Sequence, residues 1–330
     1  MSKVKKPLII LTGPTAAGKT ELSVALAKRL NGAVISADSM QVYRHMDIGS
    51  AKIRPEEMQG IRHYLVDVLD PKEEFNVVRF QQMARQAMEE IYQSGKIPIV
   101  VGGTGFYIQA LLKDVNFEES SGTLPVRRQM EEIAHREGGA GILYERLKEV
   151  DPVSAASIHE NNVKRVIRAL EYYEETGRPI SLHNEEQKEK KPPYTYAYFV
   201  LTDDRARLYD RINRRVDRMM EQGLVDEVRW LKEHGYDRNL VSMQGLGYKE
   251  LFPYLDGVCS LEEAVEIIKR DTRHFAKRQL TWFRREPDVV WLEQQEFGYD
   301  REKILSRMLE IWEKRKQEET GESEDEYRKK

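Results

Sequence analysis

Residues Gly13-Pro14-Thr15-Ala16-Ala17-Gly18-Lys19-Thr20 spell G-x-x-x-x-G-K-[ST], and no other stretch constrains the folding of this chain as strongly. The apolar run Pro7-Leu8-Ile9-Ile10-Leu11-Thr12 precedes them, while Leu22, Ala25, Leu26 and Leu30 follow at helical spacing. Strand, glycine loop and helix start therefore come in the order that a phosphate-cradling P-loop requires. In that arrangement the backbone N–H groups of the loop and the positive end of the helix face a phosphate chain. Lys19 would reach the terminal phosphate oxygens, and the Thr20 hydroxyl would ligate Mg²⁺. A turn that merely packs strand on helix leaves Lys19 without a purpose. The motif does not say which phosphate compound is held.

At 330 residues the chain can form two domains, or one domain with a sizeable insertion. Its formal net charge is only −3, so the distribution of charge matters more than the total. The single cysteine, Cys259, excludes a disulfide framework or a cysteine zinc site within one chain and reads as a packing residue in a reducing cytoplasm. Residues 1–6 are basic but lead into a short run that belongs to the first strand, which is not a signal peptide. No stretch has the apolar length of a membrane span. These features predict a cytoplasmic protein with no membrane partner. There is no internal repeat.

Gly32-Ala33-Val34-Ile35-Ser36-Ala37-Asp38 reads as a second strand ending on an acid, and Tyr64-Leu65-Val66-Asp67-Val68 as a third. Asn76 can cap a helix through Phe80, Ala84, Ala87, Met88 and Ile91, stopped by Gly95. Ile97-Pro98-Ile99-Val100-Val101 is a fourth strand, followed by Gly102-Gly103-Thr104-Gly105 and a helix to Leu112. This alternation predicts an α/β fold, a P-loop parallel sheet with helices on both faces. The section 115–192 is then helical, charge-rich and free of strand patterns, which reads as an inserted all-helical subdomain. Strand character resumes at Tyr196-Ala197-Tyr198-Phe199-Val200-Leu201, and Val289-Val290-Trp291-Leu292 is the last strand. The expected organisation is a core in two parts, 1–114 and 193–312, around the insertion. A charged tail, 313–330, is expected to fray or be disordered.

Ligands of open parallel sheets sit at the carboxyl ends of the strands. The P-loop, Asp38 and Thr104 fall there. Asp38 opens the polar stretch Asp38-Ser39-Met40-Gln41, where it can act on a bound group or merely cap a helix. Thr104 lies in a glycine-rich turn that lets backbone approach a phosphate, or simply joins strand to helix. The fourth strand ends in glycines, where P-loop ATPases place an acid for Mg²⁺. The loop can therefore hold a diphosphate for a reaction other than ATP hydrolysis.

Basic helices add to the pattern. In the helix around Leu208, Ile212, Val216 and Met219, Arg215 lies on the flank of the apolar stripe, where it either pairs with an acid or reaches a developing phosphate charge. Arg273, Lys277, Thr281 and Arg284 recur at spacings of four, four and three, the footprint of a nucleic-acid backbone, with Arg278 beside them. In the insertion, Lys164, Arg165 and Arg168 share the polar side of a helix that follows Asn161-Asn162. His159 has no ligand-spaced partner and reads as a hydrogen-bonding residue at the helix entry. Ser242-Met243-Gln244-Gly245-Leu246-Gly247-Tyr248 is a glycine-rich turn with an aromatic expected to be exposed, where backbone can approach a ribose-phosphate.

Together these segments resemble the tRNA dimethylallyltransferase (tRNA isopentenyltransferase) family in its bacterial form, which lacks a cysteine/histidine zinc finger. The P-loop carries the resemblance, with Ser36-Ala37-Asp38-Ser39-Met40-Gln41-Val42-Tyr43, Met46-Asp47-Ile48-Gly49-Ser50-Ala51-Lys52 and Val101-Gly102-Gly103-Thr104-Gly105-Phe106-Tyr107. Further matches are the stretch from Asp151-Pro152 through Arg168-Ala169-Leu170-Glu171, then Gly245-Leu246-Gly247-Tyr248 and Lys277-Arg278-Gln279-Leu280-Thr281-Trp282-Phe283-Arg284. The resemblance implies transfer of a dimethylallyl group from dimethylallyl diphosphate to the exocyclic amine of the adenosine 3′ of the anticodon, position 37 of tRNA. It implies that Asp38 meets the attacking amine, while Lys19, Thr20 with Mg²⁺, Thr104 and Arg215 neutralise the departing diphosphate. It further implies that residues 38–41, Thr104, Arg127, Asn161, Asn162, Lys164, Arg165, Gly245, Gly247, Tyr248, Lys277, Arg278, Thr281 and Arg284 grip the anticodon stem-loop of a tRNA, the protein acting as a monomer. The residues alone leave other readings: a P-loop small-molecule kinase, a prenyltransferase of free adenine nucleotides, or a non-catalytic RNA binder.

Overall fold

Every strand that carries the site is buried on both faces, and this explains why the apolar runs are continuous rather than alternating. The computed structural model describes residues 5–117 and 124–328. Residues 1–4 of the basic start, 118–123 of the expected helical section and 329–330 of the tail lie outside the described residues.

Chain order begins with β1 (Lys6–Thr12), α1 (Lys19–Arg29) and β2 (Gly32–Ala37), followed by the short α2 (Pro55–Met58) and β3 (His63–Tyr64). Next come α3 (Val77–Gln93), β4 (Ile97–Gly102) and α4 (Gly105–Leu112). Five helices follow: α5 (Leu124–Ala134), α6 (Gly139–Val150), α7 (Pro152–Ser157), α8 (Val163–Thr176) and α9 (Ile180–Glu189). The rest comprises β5 (Tyr194–Thr202), α10 (Arg205–Glu221), α11 (Leu224–Glu233), α12 (Leu251–Leu255), α13 (Leu261–Phe283), β6 (Val289–Glu293) and α14 (Arg301–Arg328). All six strands form one parallel sheet in the order β3-β2-β4-β1-β5-β6. β1 lies inside it, with Ile9 beside Ile99 on β4 and Ala197 on β5.

The two-residue period of the strands divides the core. Leu8, Ile10, Ile35, Val100, Tyr198 and Val200 face a layer containing α3, α4, α11 and part of α13. Ile9, Leu11, Val34, Ile99, Phe199 and Leu201 face Leu22 and Leu26 of α1 and Ile304, Met308 and Trp312 of α14. Helices thus cover both faces. The chain divides into two compact units, one of Met1–Leu112 with Pro193–Lys330 and the other of Lys113–Pro192. The second is all-helical among its described residues and has its own core of Met130, Leu143, Leu147, Val166, Ile167 and Leu170. Its buried Asp151 caps α7 through Ser154 N–H and also accepts from Ser181 N–H, which ties α9 to that cap. No helix of the described residues is long and apolar enough to cross a membrane.

Two expectations need correction. The third strand is His63–Tyr64, not 64–68, because Leu65 and Asp67 each have φ of 60° and turn the chain out of the sheet. The charged tail is not frayed through the described residues but continues α14 to Arg328. Trp312 is buried beneath the sheet, and the pairs Lys316–Glu313 and Lys314–Glu318 support the following turns. The expected effect of Trp312→Ala is a loss of about 3–5 kcal/mol of unfolding free energy. Urea unfolding checks it, and a loss below about 1 kcal/mol, the scale of a surface substitution, would show that the helix is not anchored there.

Candidate functional site

The carboxyl ends of β1, β2 and β4 open on a cleft of about 1210 Å³ within the first unit. The loop 13–18 begins at Gly13, whose φ is 144° and where a Cβ would stand 2.1 Å from the Leu201 carbonyl oxygen, so only glycine allows this turn. Thr12 Oγ1 donates to Gly102 O at 2.7 Å and ties the ends of β1 and β4. The loop delivers Gly18, Lys19 and Thr20 to the start of α1, where Thr20 is exposed on the cleft wall. Pro14, Ala16 and Ala17 shape the turn, with Ala17 N–H donating to Pro14 O.

Lys19 Nζ donates to Gly13 O at 3.0 Å and to Pro14 O at 2.8 Å. Burial pushes its pKa down to about 7, the Arg215 and Arg211 charges push in the same direction, and the Asp38 carboxylate opposes them. Arg215 reaches into the site, with Nη1 at 3.4 Å from Thr15 Oγ1. Burial also lowers its pKa, Asp38 opposes that shift, and Arg218 and Arg211 reinforce it. The Arg215 guanidinium thus lies against the glycine loop after β1. The Arg211 and Arg215 charges lower the proton affinity of Lys19, and Arg211 that of Arg215, an environment that favours an anion between them.

Asp38 follows β2 and lines the cleft. Its Oδ1 accepts from Met40 N–H at 2.8 Å and from Gln41 N–H at 3.3 Å, so it organises the turn Asp38-Ser39-Met40-Gln41 while lining the site. Thr104 is half-buried before α4, its N–H on Ala37 O and its carbonyl accepting from Tyr107 and Ile108. The cleft wall nearest it consists of Gly102 and Gly103.

One residue of the site carried no separate signal. Gln279 of α13 is buried; its Oε1 accepts from Thr15 N–H at 2.9 Å and its Nε2 donates to Gly103 O at 3.0 Å. It lies in the quoted stretch 277–284, but a glutamine between exposed basic residues reads as surface. Arg211, three residues after Leu208, was also missed; it lines the cleft and pairs with Asp203.

The expected nucleic-acid contacts divide into several groups. Lys277, Arg278, Thr281 and Arg284 lie exposed along α13 and its C-terminal cap. Arg273 does not join them, because it turns to α10 and donates to Asn213 Oδ1 at 2.6 Å. In the second unit, Asn161, Asn162, Lys164 and Arg165 are exposed, and His159 accepts from Asn161 N–H. Arg127 and Arg168 instead converge on the buried Glu171 carboxylate, at 3.7 and 2.9 Å. The Gly245 to Tyr248 turn is not an exposed contact: Gly245 packs on Met40, Gly247 N–H donates to Glu250, and Tyr248 is fully buried. Its hydroxyl donates to Glu227 and therefore does not face a ribose.

The sequence model of a family described as IPP transferase matches residues 41–286. Among curated proteins, the tRNA dimethylallyltransferase of Lachnoclostridium phytofermentans is 62% identical over 93% of this chain and 97% of its own. That of Acetivibrio thermocellus is 51% identical over 91% and 96%. Among solved structures, a tRNA isopentenylpyrophosphate transferase from Bacillus halodurans superposes with a TM-score of 0.72 at 44% identity, covering 96% of this chain and all of that one. A eukaryotic dimethylallyltransferase acting on tRNA gives a TM-score of 0.77 at 33% identity, covering 87% and 74%.

The lowered pKa of Lys19 has a measurable consequence. At pH 8 the free amine is mostly neutral, and an anion bound beside it restores the cationic form, so inorganic diphosphate should bind with uptake approaching one proton. At pH 6 the uptake should vanish. Calorimetry at both pH values in buffers of different ionisation enthalpy measures it, and equal uptake at the two would remove Lys19 from the anion site.

Proposed function

The chain belongs to the tRNA dimethylallyltransferase family, and on that footing we propose that it transfers the dimethylallyl group of dimethylallyl diphosphate to the exocyclic amine of the adenosine at position 37 of tRNA. The observation that carries this reading is the meeting of Asp38, Lys19 and Arg215 in one cleft, close enough for the carboxylate to shift the pKa of both cations. An allylic carbon needs its leaving group stabilised, and an arylamine is a weak nucleophile that must be held in place. The loop amides, Lys19 and Arg215 take the diphosphate. The amine nitrogen forms its bond to the allylic carbon as the carbon–oxygen bond to diphosphate breaks. Asp38 accepts the proton that the nitrogen loses, or holds that amine by a hydrogen bond.

The donor set suits Mg²⁺, which takes few protein oxygens and completes its shell with phosphate and water. Thr20 Oγ would hold it, and when bound it would neutralise diphosphate charge. No acid stands at the end of β4 in Gly102-Gly103, which suits a diphosphate that departs rather than a hydrolysed nucleotide. The target base is stacked in its loop and must be turned outward to reach the cleft. The exposed residues of α13 supply one backbone-gripping face, and Asn161, Asn162, Lys164 and Arg165 another. We read the chain as a cytoplasmic monomer.

The direct test is to incubate the protein and Mg²⁺ with labelled dimethylallyl diphosphate and either unmodified tRNA or AMP. Label on tRNA is expected; label on AMP alone points to a free-nucleotide prenyltransferase, and label on neither overturns the reading. Asp38→Ala should lower turnover by orders of magnitude with tRNA affinity largely kept. Near-normal turnover would remove Asp38 from the amine. Arg284→Ala should weaken tRNA binding and reduce its salt slope by about 1. Unchanged binding would make that face a merely solvated one.

A further inference from the structure

The segment Met46-Asp47-Ile48-Gly49-Ser50-Ala51-Lys52 contributes five residues to the cleft wall, yet it contains no helix or strand. Such a wall depends on what anchors its backbone. Three successive N–H groups point at one carboxylate, that of Glu227 on α11. Its Oε2 accepts from Asp47 N–H at 3.0 Å and Ile48 N–H at 2.8 Å, and its Oε1 accepts from Gly49 N–H at 3.1 Å. The fourth N–H, of Ser50, donates to the Tyr248 hydroxyl at 3.2 Å, which itself donates to Glu227 Oε1 at 2.7 Å. A run of backbone donors of this kind makes an anion-binding concavity, here filled by the chain's own side chain. Burial, reinforced by the charge of Glu227, pushes the Tyr248 pKa well above its ordinary value, so the hydroxyl stays a donor. At Gly49 a Cβ would stand 2.5 Å from the Tyr248 ring, so the fit needs glycine.

The inner side of the same segment leads to the reacting group. Gln41 Nε2 donates to Ser50 O at 3.4 Å and Ala51 O at 3.2 Å, and Gln41 N–H donates to Asp38 Oδ1 at 3.3 Å. Lys52 braces the far end through Tyr43 O at 2.7 Å and Asp67 at 2.8 Å. One hydrogen-bonded path therefore runs from Glu227 through the loop and Gln41 to Asp38.

We propose that Glu227 and Tyr248 form a positioning latch that sets the cleft-wall loop and, through Gln41, fixes the Asp38 carboxylate. This rests on Asp38 being the group that meets the attacking amine. Neither latch residue touches substrate. Their effect is geometric, since a displacement of about 1 Å at a reacting group can cost about a hundredfold in rate. The latch also gives the Gly245 to Tyr248 segment a role that its burial is consistent with.

Glu227→Gln places an amide N–H against backbone N–H groups and breaks the latch with little change of volume. In full-length protein, hydrogen exchange of residues 46–51 and 38–42 should accelerate by about tenfold or more through local opening, with residues 13–20 unchanged. The kcat of transfer should fall by about ten- to a hundredfold while KM for dimethylallyl diphosphate and tRNA moves less than about threefold. In an Asp38→Ala background, Glu227→Gln should cost almost nothing further. Unchanged exchange at 38–42, or an equal kcat loss in the Asp38→Ala background, overturns the proposal. If the wild-type protein transfers no dimethylallyl group, the role of Asp38 falls, while the exchange measurement still decides whether Glu227 governs the loop. Should Glu227→Gln fail to fold, Tyr248→Phe keeps the ring and the carboxylate and carries the same comparison.

Discussion

A single buried amide, Gln279, ties together the two loops on which the cleft rests. Its oxygen takes the Thr15 N–H of one loop and its nitrogen serves the Gly103 carbonyl of the other. Neither loop contains regular structure, and each carries backbone polar groups that need partners once the helices close over the sheet. Because Gln279 belongs to α13, the same helix that covers the sheet also sets the width of its carboxyl edge. The exposed cations of that helix are thereby placed in fixed relation to the phosphate loop.

The charge arrangement follows from this closure. Lys19, Arg211 and Arg215 are drawn toward one point by the loop and by α10, where Asp38 opposes the shifts of Lys19 and Arg215 and Asp203 pairs with Arg211. The cost appears as lowered pKa values for Lys19 and Arg215, and an anion relieves it. That environment suits a reaction in which negative charge collects on a departing diphosphate. Asp38 combines two tasks, since the oxygen that shapes its turn also fixes its place in the cleft.

Much of the site was legible because its signals are local. The P-loop, the acid after β2 and the glycines after β4 each sit where a strand gives way to a turn, and adjacent residues reveal such points. The errors arose where partners lie far away in sequence. Tyr248 looked like an exposed aromatic in a glycine turn, but Glu227 and Gly49 enclose it. Arg273 read as one of an exposed cationic row, but it turns to Asn213 of α10, 60 positions away. The tail after Trp312 is poor in apolar residues, yet the buried indole anchors the helix from which it continues.

By itself the sequence determined the parallel sheet, the glycine loop after β1 and the order of strands and helices around it. Backbone sterics and side-chain periodicity act over a few residues, so the pattern is written in the chain. Tertiary structure alone decided which cations face the cleft and what secures the wall beside Asp38. Those outcomes depend on contacts such as Gln279 with Thr15 and Glu227 with Asp47, which join residues more than a hundred positions apart. Electrostatics and hydrogen bonding act through space, and only folding brings such partners within reach.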